Sequence, residues 1–193
     1  MNPLDDFSAE RLADRAQIQD VIFRWCRAID RLDYDAIKTV FHPDAVDMHG
    51  AYNGGIDGLV DWIRGRHKTI PFSMHSVSNM LIEFGGADFA VVESYLTYVQ
   101  HYPANAKASL TALLGGKEGT PEVAVDLIGC GRYVDRFERR GGEWKISQRT
   151  AVFDSTMLFD QSPNAPKTGS DWTVGRRDKE DCVYRARAAA NIT

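Results

Sequence analysis

The hydrophobic period of this chain switches once, from helical to strand-like, and that switch limits the fold more than any other feature. In the first third, Ile18, Val21, Ile22, Trp25 and Ile29 recur at helical spacing on one stripe. Ser8 stands ahead of them as an N-cap, with Glu10 and Asp14 early in the helix where acids suit its dipole. The pattern predicts a helix over about residues 8–30. A second helix fits 34–41, closed by His42-Pro43, because a residue before proline disfavours the helical region. A short strand is expected at 45–48, a turn at Tyr52-Asn53-Gly54-Gly55, and a third helix at 57–68 with Leu59, Val60 and Ile63 inward. Beyond these come long runs rich in Val, Ile, Tyr and Phe at 74–84, 89–101, 122–139 and 144–153, which read as strands. Gly85-Gly86-Ala87-Asp88 and Arg140-Gly141-Gly142 are the expected hairpin connections.

Helices first and long antiparallel strands afterwards define an α+β fold. The expected form is a cone: a curved mixed or antiparallel sheet wrapped around the N-terminal helices, with a ligand-sized pocket between the two. The 193 residues suit one domain. Its expected extent is 1–155, with a loop insertion at about 103–121 that carries a helical turn at 109–114. A polar extension, 156–193, follows with a short helix near 179–190; its Met157-Leu158-Phe159 and Trp172 are expected to pack on a neighbouring subunit.

Composition narrows the function classes. A net charge of -4 and no Lys/Arg-rich run argue against non-specific nucleic-acid binding, which needs a basic patch. No stretch of about 18 apolar residues is present for a membrane span. The opening MNPLDDFSAERLADR carries acids and no apolar core, unlike a secretory leader. Cys26, Cys130 and Cys182 are widely spaced and form no C-x-x-C pair, so reduced thiols and a cytoplasmic location are expected. The five histidines make neither an H-x-H nor an H-E-x-x-H pattern, and Asp47-x-His49 alone is too little for a metal site. No glycine-rich phosphate loop opens a helix, so neither metal nor nucleotide cofactor is expected.

Three stretches carry a family resemblance. Arg15-Ala-Gln-Ile-Gln-Asp20, Cys26-Arg-Ala-Ile-Asp30-Arg-Leu-Asp-Tyr-Asp35 and Phe41-His-Pro-Asp-Ala-Val46 resemble the opening of SnoaL-like proteins of the nuclear transport factor 2-like superfamily. Arg132-Tyr-Val-Asp-Arg-Phe-Glu-Arg-Arg-Gly-Gly-Glu-Trp144-Lys-Ile-Ser-Gln-Arg149 resembles their last two strands. The likeness spans about residues 10–155. Members such as scytalone dehydratase, hexachlorocyclohexane dehydrochlorinase and bile-acid 7α-dehydratase are cofactor-free lyases. They carry an Asp at the end of the first helix and a His on the first long strand, and they are homotrimers. The resemblance therefore implies a homotrimer whose catalytic pair is Asp30 and His75, the latter in Ser73-Met-His-Ser.

That pair suits an elimination. A neutral imidazole is a base near pH 7, and a carboxylate can fix its tautomer and stabilise the imidazolium. Asp30, four residues after Cys26 and eight after Ile22, falls at the edge of the apolar stripe, where an acid needs a partner. Trp25 replaces a Tyr or Lys of some relatives and would form an aromatic wall. Tyr52 and Tyr98 are candidate donors to a substrate oxygen, and His101 a second active-site histidine. Arg149 matches an active-site Arg of the dehydrochlorinase, yet strict alternation groups it with Lys145 and Ser147; a bulge is needed to turn it inward. Arg132 alternates with Cys130 and Ile128, and pairing with Asp30 or another acid is open to it.

The expected function is a lyase acting on a hydrophobic aromatic or polycyclic alcohol, by dehydration or by retro-aldol-type release of formaldehyde from an arylpropane diol. The alternatives are an isomerase like ketosteroid isomerase and a non-catalytic relative of the dioxygenase β subunit. Fold alone does not choose among them.

Overall fold

A computed structural model of the chain describes residues 6–113, 124–162, 164, 166 and 168–192. The end of the expected loop insertion, its Gly115-Gly116 pair and the expected strand start at 122 lie outside the described residues.

Helix α1 spans Ala9–Arg31, capped by the Ser8 side chain, which accepts from the Arg11 amide. Its stripe is buried as the spacing requires: Ile18, Val21, Ile22, Trp25 and Ile29 are each at most 4% exposed. The helix ends where Leu32 turns left-handed, with φ 52°. Asp14, buried on the same helix, ties it to the sheet by accepting from Trp144 Nε1 at 2.8 Å and from Arg139 Nη1 at 3.1 Å. Helix α2 is Tyr34–Thr39, stopping short of the expected end because Phe41 already pairs with Ile146. Strand β1 is Phe41–His49 and takes in His42-Pro43; the ladder to its neighbour skips between Phe41 and Val46, which accommodates the proline.

Tyr52–Gly55, read in the sequence as a turn, is strand β2, antiparallel to β1. The reversal falls earlier, at Gly50, whose φ of +64° supplies the left-handed step. Helix α3, Ile56–Arg66, continues as a 3-10 turn at His67–Thr69. Strands β3 (Phe72–Phe84), β4 (Phe89–Tyr102), β5 (Val125–Arg140) and β6 (Glu143–Asp160) form the body of the sheet. Between β4 and β5, a 3-10 turn at Ala104–Ala106 leads into helix α4, Lys107–Leu113. Helix α5 is Cys182–Ala189.

The sheet order is β2-β1-β6-β5-β4-β3. All neighbours are antiparallel except β1 and β6, which run parallel. Two bulges bend the β5–β6 hairpin. One leaves Ser147 unpaired, because Phe137 faces Ile146 while Arg136 faces Gln148. That extra residue restarts the alternation and sends Arg149 inward with Trp144 and Ile146. The concave face holds Val92, Leu96, Leu127, Tyr133, Phe137 and Ile146, and α1 and α3 fill it with Ile22, Ile29, Leu59 and Ile63. Among the described residues, no helix is long and apolar enough to cross a membrane.

Strand β6 runs past the expected boundary at 155 and leaves Met157, Leu158 and Phe159 between 41 and 49% exposed. Trp172 is exposed as well. The extension beyond folds back on its own chain: the Tyr184 hydroxyl donates to Asp33 Oδ2 at 3.0 Å, and Asp181 pairs with Arg31 at 3.3 Å.

Candidate active site

A cavity, partly open to solvent, lies between α1, α3 and the concave face of the sheet. Most of its wall is apolar and aromatic: Trp25, Ile29, Trp62, Leu96, Tyr133 and Phe153. The polar side chains on the wall are His49, His67, His75, Arg66, Gln100, Tyr98 and Arg132.

Asp30 and His75 meet across α1 and β3. Asp30 Oδ1 lies 2.7 Å from His75 Nδ1, and Oδ2 accepts from the His75 backbone N–H at 2.9 Å. Both carboxylate oxygens are thus committed to one residue. With Nδ1–H donated to Asp30, the lone pair of the neutral ring is on Nε2, and the ring itself lines the cavity. Tyr98, opposite His75 in the β3–β4 register, lies against the imidazole with ring centroids 5.8 Å apart and planes at 21°. The Gly129 backbone lies directly behind Tyr98, where any side chain would collide with the Tyr98 ring. Burial raises the Tyr98 hydroxyl above its ordinary pKa, with Arg66 and Thr156 opposing the rise, so it is a proton donor at neutral pH.

His49 makes a second histidine–carboxylate pair in the same cavity, with Nδ1 3.3 Å from Asp47 Oδ1. Asp47 is fully buried, and among the described residues neither its carboxylate oxygens nor His49 Nδ1 makes a hydrogen bond, so the two are close in space without being hydrogen-bonded. Around His49 stand Trp25, Trp62, Tyr133 and Phe153, with ring centroids 5.8–6.5 Å away. Strands β1 and β3 lie on opposite flanks of the sheet, so its curl brings His49 and His75 to the cavity from opposite sides.

His67 is buried, and that burial, reinforced by Arg66 and Arg177, holds it well below the ordinary histidine pKa and therefore neutral. Arg177 comes from the C-terminal extension. Its guanidinium donates to the carbonyls of Ile29, Asp30 and Ile70, each at 2.9 Å, gripping the end of α1 next to the Asp30 side chain.

The other sequence candidates divide. Trp25 is 1% exposed and forms the expected aromatic wall. Arg149 is turned inward but lies beneath that wall, fully buried and paired bidentately with Asp135 at 2.7 and 2.8 Å. Its guanidinium sits 4.7 Å from the Trp25 ring centroid and 4.0 Å from that of Tyr133, so it supports the cavity floor without lining it. Tyr52 is not brought to the cavity: its hydroxyl donates to the Gly55 carbonyl and its ring packs on Trp62. Nor is His101, because alternation on β4 puts Tyr98 and Gln100 inward; His101 points to the convex face and pairs with Asp126 at 2.8 Å. Arg132 pairs with Glu93 and Asp154 at the cavity rim instead of with Asp30. Burial pushes the Cys26 thiol up to about 12, leaving it a small core residue. Among the described residues no three His, Cys, Asp or Glu side chains gather as a metal site would need.

His49, Arg66, Gln100 and Arg177 are site features that sequence reasoning missed. Asp47-x-His49 was visible as a same-face pair on a short strand, and Gln100 as the alternation partner of Tyr98. Nothing local marks Arg66 or Arg177.

The comparisons agree with this architecture. The SnoaL-like domain model matches residues 10–150, and the chain belongs to that family. It is 26% identical over 150 residues to gamma-hexachlorocyclohexane dehydrochlorinase of Sphingobium indicum, covering 74% of this chain and 81% of that one. Its fold is similar to the crystal structure of LinA, with a TM-score of 0.65 and 21% identity over 81% of this chain and 97% of that one. It is likewise similar to a scytalone dehydratase candidate from Novosphingobium aromaticivorans, with a TM-score of 0.60 and 18% identity over 81% of this chain and 97% of that one. At these identities the solved structures establish the cone fold and nothing more specific.

Proposed function

We propose that the protein is a cofactor-independent lyase that eliminates water, or releases formaldehyde, from a hydrophobic aromatic or polycyclic alcohol. The observation that carries this reading is the doubly held Asp30–His75 pair, set in an apolar cavity with a second histidine on the far wall. His75 Nε2 takes the proton, from carbon in a dehydration or from a hydroxyl in a retro-aldol cleavage. Asp30 keeps the ring oriented and stabilises the imidazolium as it forms. His49, beside the buried Asp47 carboxylate, delivers a proton to the departing hydroxyl. The Tyr98 hydroxyl donates to oxygen that gains negative charge. The apolar wall keeps bulk water from competing for these groups.

An isomerase of the ketosteroid type needs a carboxylate base facing its substrate. Here both oxygens of Asp30 are spent on His75, and no Asp or Glu lines the cavity among the described residues. A non-catalytic subunit has no use for two histidine–carboxylate pairs around one cavity. The dehydrochlorinase name of the relative at 26% identity fits the same reaction class.

The test is a panel of aromatic secondary alcohols, diarylpropane diols and hydroxysteroids, with alkene absorbance and formaldehyde followed separately. Turnover that His75→Ala and Asp30→Asn both abolish is expected. A panel without turnover, together with a partner chain co-purifying from the native host, would replace this reading by an accessory subunit.

We also propose a homotrimer formed through the convex face. Phe72, Met74 and Phe159 are 46–49% exposed there, beside half-buried Val99 and Ile128, and together they make an apolar patch suited to another copy of the chain.

A further inference from the structure

The charge balance of the cavity is uneven. Its described wall contains no Asp or Glu but does contain Arg66 and Arg132. Arg132 is neutralised at the rim by Glu93 and Asp154. Arg149, below the floor, has Asp135. Arg177, behind the site, has three carbonyls, two of them at the negative end of α1. Arg66 differs from all three, because among the described residues its guanidinium meets neither a carboxylate nor a backbone carbonyl.

Uncharged acceptors hold Arg66 in place. Nη2 donates to Gln100 Oε1 at 3.0 Å and to the Tyr102 hydroxyl at 2.7 Å. Gln100 is fixed in turn, donating to Ser73 Oγ and accepting from Tyr102. Nη1 lies against His67 Nε2, while Arg177 Nη2 lies 2.9 Å from His67 Nδ1. A neutral imidazole has one in-plane lone pair, so at most one of those contacts is a hydrogen bond. Among the described residues, the Arg66 Nε–H is buried without a partner. The guanidinium is therefore positioned by a network that, among the described residues, leaves its charge unmatched and part of its donor fork unspent. A cation part-way out of water in an apolar cleft is costly unless an anion meets it. Its planar fork suits a carboxylate better than a hydroxyl.

We infer that the ligand of this cavity is an aromatic or polycyclic molecule bearing a carboxylate, and that the carboxylate seats on Arg66 while the ring system lies between Trp25 and Trp62. The inference rests on the lyase reading only for what happens to the ligand after it binds. The carboxylate anchors the substrate at one end and presents its alcohol to His75 and His49.

Calorimetric titration of the full-length protein with 2-naphthoate and with 2-naphthalenemethanol separates the two. The molecules share one ring system and differ in the charged group. Naphthoate should bind roughly 10–100-fold more tightly, as a charge-assisted Arg–carboxylate contact allows. The preference should shrink in Arg66→Met while affinity for the alcohol stays within about twofold. Arg66→Lys, which keeps the charge but not the fork, should fall between. Equal affinities in the wild-type protein overturn the inference whether or not the variants fold, and so does a preference that Arg66→Met retains. Because binding and not turnover is read, a failed carboxylate preference leaves the lyase reading standing. Tight naphthoate binding with no turnover across the alcohol panel removes only the lyase reading.

Discussion

Asp30 holds His75 at two points, through the ring Nδ1 at 2.7 Å and through the backbone N–H at 2.9 Å, so one carboxylate sets both the tautomer and the position of the imidazole. Asparagine at 30 can keep the backbone contact but would present an amide N–H or a poorer acceptor to Nδ1. The ring would then favour the tautomer with its proton facing the cavity. Asp30→Asn should lower kcat roughly 10²–10⁴-fold, as removing the orienting carboxylate does in a serine hydrolase triad. Its circular dichroism should remain that of the wild type. A variant keeping more than about a tenth of the activity would mean that the base lies elsewhere.

His49 is assigned the task of protonating the leaving group, and that task depends on what leaves. Hydroxide is a poor leaving group without a proton, whereas chloride departs unaided. His49→Gln should therefore slow dehydration of an alcohol by roughly 10²–10⁴-fold, the usual contribution of a positioned acid. Elimination from the matching chloride should change by less than about tenfold. Asp47→Asn should show the same selectivity more weakly. Equal losses on both substrates would make His49 a wall residue.

The close approach of Gly129 to Tyr98 gives a prediction confined to the cavity. A methyl group at 129 would collide with the Tyr98 ring and push it off its place against His75. Gly129→Ala should raise KM and lower kcat, and replacing Tyr98 by a smaller residue in the same chain should partly restore the fold's stability. At Gly131 the obstacle is the Val152 backbone carbonyl, which cannot rotate away, so Gly131→Ala should lower Tm without that rescue. Thermal unfolding and steady-state kinetics on the two variants distinguish these outcomes.

How much of this was readable beforehand depended on how local the cause was. The helices and long strands follow from period and capping, and Ser8, the stripe from Ile18 to Ile29 and the Gly141-Gly142 turn each act within a few residues of themselves. Asp30 and His75 are 45 residues apart and were legible through family resemblance, their helical and strand faces being consistent with it. Arg149 shows the limit of alternation. Its inward turn depends on one unpaired residue, Ser147, and nothing about a serine between Ile146 and Gln148 announces a bulge. Tyr52 was misread because Gly54-Gly55 looks like a turn, whereas the reversal is at Gly50 and the glycines lie in an edge strand. Arg177 reaches α1 from 147 residues away in a polar tail, where one arginine resembles any other.

The buried Arg149–Asp135 pair should behave as a stability element. Asp135→Asn leaves a guanidinium without its counter-charge under Trp25 and Tyr133, and breaking a buried pair from one side costs about 3–5 kcal/mol. Replacing both residues with leucine should cost less than the single change, because no charge is then stranded. Urea unfolding of the two variants tests the ordering. A single variant as stable as the wild type would mean that the pair carries little.

The C-terminal strap should loosen in acid. Asp33 receives Tyr184 and Lys179 from the strap. Burial by itself would raise its pKa, but the Lys179, Ala36 and Tyr184 contacts outweigh that and hold it below its ordinary 3.8. Asp181, which caps α5, is also held low, first by the Arg176 amide, with the Val183 amide and Arg31 adding to it against burial. Both are depressed carboxylates, so their stabilisation is complete above the unfolded value and is lost as pH falls through the folded one. Amide protection factors at 176 and 183 should therefore drop as pH falls from about 4 to 3 and below, before those of β5. Asp33→Asn should loosen the strap already at neutral pH and flatten the acid response. Because Arg177 in the same strap grips the carbonyls of Ile29 and Asp30, loosening it frees the end of α1 that aims Asp30 at His75. Asp33→Asn should then lower kcat severalfold, although residue 33 does not line the cavity. Strap protection that stays constant down to pH 3, with β5 still folded, would sink this coupling.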